Sequence, residues 1–146
     1  MNSEEFLNAD LVDICEALAR GEVASEFLTQ QCLERLARIG SPLNAVMELD
    51  RTALEAARSI DRRRAKGERL GPLAGVPLAH KDLFYRAGKR CTCGSRIRDH
   101  AIADTTATAL ASLPVMFDTA ILSPVLRRSL SVFALMSSFL FPRMRL

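Results

Sequence analysis

A lysine closes the short apolar run "GVPLAHKD", Gly75 to Asp82, directly after a turn rich in glycine and proline. An amine in that position either turns out to solvent or is carried inward, where lost solvation favours its neutral, basic form. On spacing alone the solvated reading of Lys81 is favoured. His80 is the neighbouring titratable group and a conceivable proton shuttle. Adjacent strand residues face opposite sides, so His80 reads instead as a hydrogen-bonded core histidine. Cys91 and Cys93, with His80 and His100, raise a zinc site. Zinc sites space paired cysteines by about two to four residues, and this pair has a single residue between, which favours two small apolar thiols in a loop core. "GKR" lacks the upstream glycine and the following Ser or Thr of a phosphate-binding loop.

These residues must be positioned by the elements around them. Asn8 or Asp10 can cap a first helix with Leu11, Ile14, Cys15, Leu18 and Ala19 on one face, closed by Gly21 in a left-handed cap. Ser25 can cap a second, with a stripe of Leu28, Cys32, Leu36 and Ile39 and a left-handed Gly40 at its end. "NAVMEL" predicts a short strand. Asp50 can cap a third helix, with Leu54, Ala57 and Ile60 inward and Gly67 closing it. Its basic end, "DRRRAKGER", reads as a solvated last turn with cations at the negative helix terminus, in preference to an anion or nucleic-acid site. Pro72 and Pro77 exclude a regular helix, Gly71 and Gly75 permit tight turns, and a strand over Val76 to Ala79 delivers His80 and Lys81. "GKRCTCGS" reads as a loop, and Asp104 as the cap of a helix carrying Ala107, Leu110 and Ala111.

The bulk properties bound the function. A chain of 146 residues, 49% hydrophobic and 25% charged, is about one domain with a real core. A net charge of +3 is too small to argue for nucleic acid by itself, and with few aromatics and no tryptophan no stacking platform for single strands is expected. The acidic start "MNSEEFLNAD" lacks the regions of a secretory signal, so the four cysteines are expected reduced and the protein cytoplasmic. No uncharged apolar run reaches the roughly 18 residues of a membrane span.

"GPLAGVPLAHKDLF" followed by "CTCGS" resembles the amidase signature family of serine amidohydrolases. Gly71, Pro72, Leu73, Gly75, Val76, Pro77, Lys81 and Asp82 match one motif, and Thr92, Gly94 and Ser95 the next. "DTTATAL" stands where the family begins a helix, and the resemblance runs over about residues 5 to 112. It implies an α/β fold, helices packed on a mixed β-sheet, of which this chain holds the N-terminal part. It also implies hydrolysis of a carboxamide C–N bond through an acyl-serine, by a Ser–cis-Ser–Lys triad without cofactor or metal. Lys81 takes the lysine's position: a neutral amine that accepts the nucleophile's proton through the middle serine. Asp82 reads as a supporting or backbone-capping group, and Ser95 is not the nucleophile.

The sequence departs from the family after that. The two serines and the oxyanion hole belong to a Gly-x-Ser-Ser-Gly-Gly stretch, and no glycine follows Gly94. The last lysine is Lys89 and the last glutamate Glu68, while the tail is rich in Arg, Ser, Leu and Phe. Residues 1–112 are therefore expected to be the amidase-like part and 113–146 an unrelated or out-of-frame tail, leaving a chain inactive by itself. Membrane association through that tail is weak for want of an amphipathic face. The expected partners are a small amide substrate in full-length relatives and a partner subunit or complementary fragment, since some family members are amidase subunits of tRNA-dependent amidotransferases. A non-catalytic interaction module is the alternative. Neither nucleic acid nor stable membrane insertion is expected.

Overall fold

The computed structural model describes residues 3–111 and the strand 117–122. Three N-terminal helices come first: α1 (Ser3–Asn8), α2 (Leu11–Ala19) and α3 (Ser25–Arg35), the last running into a single π-helical turn, Leu36–Gly40. Asp10, rather than Asn8, starts α2. Its carboxylate accepts from the Asp13 amide at 2.9 Å, and the Asp13 carboxylate accepts from the Asp10 amide at 3.3 Å, a reciprocal cap that contributes about 1 kcal/mol. Gly21 closes the helix at φ +71, as its position predicts.

Two helix starts differ from the sequence reading. Ser25 is the first residue of α3, not its cap, and it is fully buried. The cap is supplied from a distance: the Asp61 carboxylate accepts from the Ser25 and Glu26 amides, both at 2.9 Å. Asp50 likewise precedes the cap of α4 (Ala53–Ala65), which is Thr52. Gly40 differs too. A Cβ there would lie 2.6 Å from Val46 Cγ2, so the glycine serves close packing rather than a left-handed turn. Asp104 does not cap a helix directly, because α5 spans only Thr108–Ala111.

The core joins these helices to the start of the chemistry-bearing strand. Phe6, Ile14, Ala17, Leu18, Val23, Leu28, Cys32 and Val76 belong to one buried cluster. Ala17 takes the inward position expected of Ala19, which is exposed. From α4, Ala53, Ala57 and Ile60 are buried.

The sheet has the order β1 (Val46–Leu49), β3 (Phe117–Leu122), β2 (Pro77–Lys81). β3 runs antiparallel to β1 and parallel to β2, a mixed sheet as expected. Its central strand comes from within 113–146, where no strand was expected. The rest of that stretch lies outside the described residues, and with it the expectation of an unrelated tail.

Candidate functional site

The turn entering β2 sets the geometry. Gly75 has φ +92, a conformation that side chains rarely adopt, and a Cβ there would sit 2.0 Å from Ser25 Oγ. Arg64 of α4 locks the same corner. Its guanidinium donates to the Ala74 carbonyl at 2.7 Å, to Ser25 Oγ at 3.3 Å and to Asp61 at 3.2 Å. Helices α3 and α4 thus grip the backbone just before the strand, while the rest of the basic run at the end of α4 is solvent-facing, with Arg62 paired to Glu55 and Arg63 to Glu68 on the surface.

β2 then delivers Lys81 at its last position, half-buried. Its carbonyl accepts from the Leu83 amide at 2.7 Å and the Phe84 amide at 3.0 Å, which ends the strand in a tight turn. His80 is buried, with Nδ1 3.1 Å from the same carbonyl. A carbonyl only accepts, so Nδ1 is the donor in this hydrogen bond. His80 is the hydrogen-bonded core histidine of the sequence reading. Among the described residues, the Lys81 side-chain nitrogen has no hydrogen bond or ion pair.

Asp82 is almost fully buried and ties the strand end to the next loop. It accepts from the Thr92 amide at 2.9 Å and, in a short hydrogen bond, from the Thr92 hydroxyl. That hydroxyl in turn accepts from the Gly94 amide at 3.0 Å. The loop is more ordered than its sequence suggests. Arg90 and Ile102 form an antiparallel bridge, flanked by backbone bonds from Gly88 to Ala103 and from Cys91 to Ala101. At its tip the Ser95 amide donates to the Thr92 carbonyl at 3.0 Å, with Cys93 at φ +52 and Gly94 at φ +75 between them. Two consecutive left-handed residues inside that bond are the signature of a type I′ turn.

A second tie runs to the residue that follows β1. Asp50 accepts from Arg86 at 2.7 Å and lies 3.3 Å from Lys89, and its other oxygen accepts from the Thr52 amide and hydroxyl. Burial alone would raise its pKa. The Thr52, Arg86 and Lys89 contacts outweigh it and hold the carboxyl at about 2, below its ordinary 3.8. The folded-state pKa is depressed, so the stabilisation is present above pH ~4 and is lost as pH falls towards 2. With screening of the partly exposed Arg86 and Lys89, it amounts to about 1–2 kcal/mol. Urea midpoints compared at pH 5 and pH 2.5 should fall further in the wild type than in Asp50→Asn, and equal falls would remove Asp50 from the acid transition.

The zinc residues do not assemble. Cys91 is buried and Cys93 exposed, so the expected pair of core thiols is in fact one inward and one outward; His100 is exposed. Among the described residues, no group of three or more His, Cys, Asp or Glu is placed to hold a metal. Nor is any helix among them long and apolar enough to cross a membrane. The sequence reading missed Arg64, Asp61 and the Asp50–Arg86 contact. No local pattern signals them, since each joins residues ten or more positions apart, Arg64–Asp61 excepted.

Two helices grip an entry turn, and the strand that follows presents one amine at its end, along an edge of the described sheet. That is an α/β scaffold, helices beside a mixed sheet, and the comparisons agree on the fold. The family model described as Amidase matches residues 27–114, more than half of the chain. The chain belongs to the amidase family. It is 41% identical over 107 residues to a glutamyl-tRNA(Gln) amidotransferase subunit of Acidothermus cellulolyticus, a match covering 73% of this chain and 21% of that one. The corresponding protein of Pseudomonas syringae pv. tomato is 43% identical over 104 residues, covering 70% of this chain and 21% of its own length. Among solved structures, the native peptide amidase of Stenotrophomonas maltophilia superposes with a TM-score of 0.67 at 33% identity, covering 77% of this chain and 24% of that one. A fatty acid amide hydrolase, at 20% identity and a TM-score of 0.73, shares the fold over 83% of this chain and 22% of its own. The chain spans about a fifth of the length of the curated relatives it matches.

Proposed function

We propose that this chain carries the proton-accepting lysine of an amide hydrolase, Lys81, and that the two serines it serves come from outside these 146 residues. In that reaction the nucleophilic serine attacks the carboxamide carbon. Its proton passes through the middle serine to Lys81 and is returned to the departing nitrogen, so the C–N bond breaks, the amine leaves and an acyl-serine forms. Water then releases the acid. The observation that supports this is the placement of Lys81: half-buried, last in β2, and flanked by the Asp82–Thr92 and Asp50–Arg86 ties. No Gly-x-Ser-Ser-Gly-Gly run occurs in the sequence. The tail from 113 is proposed to be read out of frame, which translation of the same DNA in its other frames tests directly: a glycine- and serine-rich amidase continuation is expected in one of them.

The chain alone should release no ammonia from simple carboxamides above the buffer rate. Turnover abolished by Lys81→Ala would show that a nucleophile is already present and overturn the need for outside serines. Addition of a complementing segment bearing the serines should produce turnover with the wild-type chain and none with Lys81→Ala. Turnover with both would remove Lys81 from the mechanism.

A second reading, a module that binds a partner protein, is favoured by the identity of 41–43% to amidotransferase subunits. Stable capture of one partner at physiological salt, unaffected by Lys81→Ala, would support it over hydrolysis.

A further inference from the structure

Cys91 and Cys93 take no part in the proposed Ser–Ser–Lys chemistry, yet their sulfurs are held 3.9 Å apart. This is near van der Waals contact, and a disulfide requires an approach to about 2.05 Å. The backbone is built to keep them close. Thr92, between them, is fixed through both its amide and its hydroxyl to buried Asp82. Cys91 is fixed by its amide to the Ala101 carbonyl. Cys93 is held at φ +52 in the type I′ turn, where a non-glycine residue costs about 1 kcal/mol. Cys93 is exposed to solvent and Cys91 is buried behind it. One thiol is therefore open to attack by a reagent, and the other is shielded but adjacent.

We propose that Cys91 and Cys93 form a reversible dithiol–disulfide pair that exchanges with low-molecular-weight disulfides. The Cys93 thiolate attacks one sulfur of the disulfide R–S–S–R. A Cys93–S–S–R bond forms, the R–S–S–R bond breaks, and the leaving thiolate takes up the Cys93 proton. The Cys91 thiolate then attacks Cys93 Sγ and displaces the second R–S⁻, which takes up the Cys91 proton. Two protein thiols are oxidised by two electrons, and the small disulfide is reduced to two thiols. Burial, with Cys93 and Asp82 alongside, pushes the Cys91 thiol up to about 11. That keeps the Cys91 thiolate scarce, so its resolving role rests on position: it is shielded from reagents in solvent and lies 3.9 Å from the Cys93 sulfur that carries the mixed disulfide. The ring closed by one intervening residue is small, so the disulfide is readily reduced again.

The pair can be read on a single fragment. Trypsin cleaves after Arg90 and Arg96, and the peptide Cys91–Arg96 carries both sulfurs and neither Cys15 nor Cys32. The reduced chain is incubated with oxidised glutathione, quenched in acid, alkylated and digested. The expected peptide is unalkylated and lighter by two hydrogens, and dithiothreitol restores two alkylatable thiols. In Cys91→Ser, glutathione should remain on Cys93. In denaturing urea the ratio of intramolecular to mixed disulfide should fall about tenfold, because the turn no longer concentrates one thiol at the other. A peptide alkylated twice, or one carrying glutathione on Cys93 with Cys91 alkylated, overturns the pair. An unchanged ratio in urea overturns the role of the fold.

Discussion

Gly75→Ala should cost about 3–4 kcal/mol, a large share of the stability of any single domain. Two effects combine. A left-handed φ of +92 is unfavourable for alanine by about 1–2 kcal/mol. The added Cβ also falls 2.0 Å from Ser25 Oγ, 3.0 Å from Ser25 Cβ and 3.3 Å from Arg64 Nη2. Relief has to come from the first turn of α3, because Ser25 is fully buried and its amide is held by Asp61. Moving it strains the Asp61 cap and the Arg64 bond to the Ala74 carbonyl together. Gly67→Ala is the control. That glycine has φ +74 but no atom within 4 Å of its added Cβ, so only the conformational cost of about 1 kcal/mol remains. Urea unfolding or pulse proteolysis of the two variants compares them directly. Equal losses would show that the corner yields without cost and that Gly75 matters for its φ alone.

Gly75 also shows how far the sequence carries the fold. A glycine between two prolines is legible as a turn, and its place in the run Gly75-Val76-Pro77 points to the family. The reason for the glycine is the side chain of Ser25, far earlier in the chain, and no local pattern contains it. The same division holds elsewhere. α2 and α4 are legible because their apolar spacing and closing glycines are local. The capping of α3 by Asp61 is not, and Ser25 imitates a cap that it does not provide. β1 and β2 are legible from short apolar runs between turns. β3 is hidden, because Phe117–Leu122 lies in a stretch whose composition breaks with the preceding chain. The Thr92–Ser95 turn is hidden for a chemical reason: its left-handed positions are filled by Cys-Gly rather than the usual Asn-Gly. Lys81 is legible only through the ensemble of glycines, prolines and the following aspartate. The glycine- and serine-rich run that would answer it does not occur in the sequence, so the site is named more fully than it is built.

Asp82→Ala should cost about 3 kcal/mol and release the loop that follows Lys81. Both Asp82 and Thr92 are almost fully buried, so removing the carboxylate leaves the Thr92 amide and hydroxyl without their acceptor and without water. Each such donor costs about 1–3 kcal/mol. Asp82→Asn keeps a carbonyl oxygen for one donor but turns an NH₂ towards the other, and should lose about half as much. The effect is local as well as global. The Thr92 hydroxyl also accepts from the Gly94 amide, so a freed Thr92 loosens the turn that holds Cys93. Amide exchange at Thr92 and Gly94 should accelerate more than tenfold in Asp82→Ala, roughly in line with the lost stability, and alkylation of buried Cys91 should quicken with it. A loss of global stability with Thr92 still protected would place the role of Asp82 elsewhere. If the prediction holds, the lysine and aspartate act as a unit of unlike parts. Asp82 ties the residue after the strand end to the Thr92 loop, and that rigidity keeps Lys81 at a set position without a side-chain partner among the described residues.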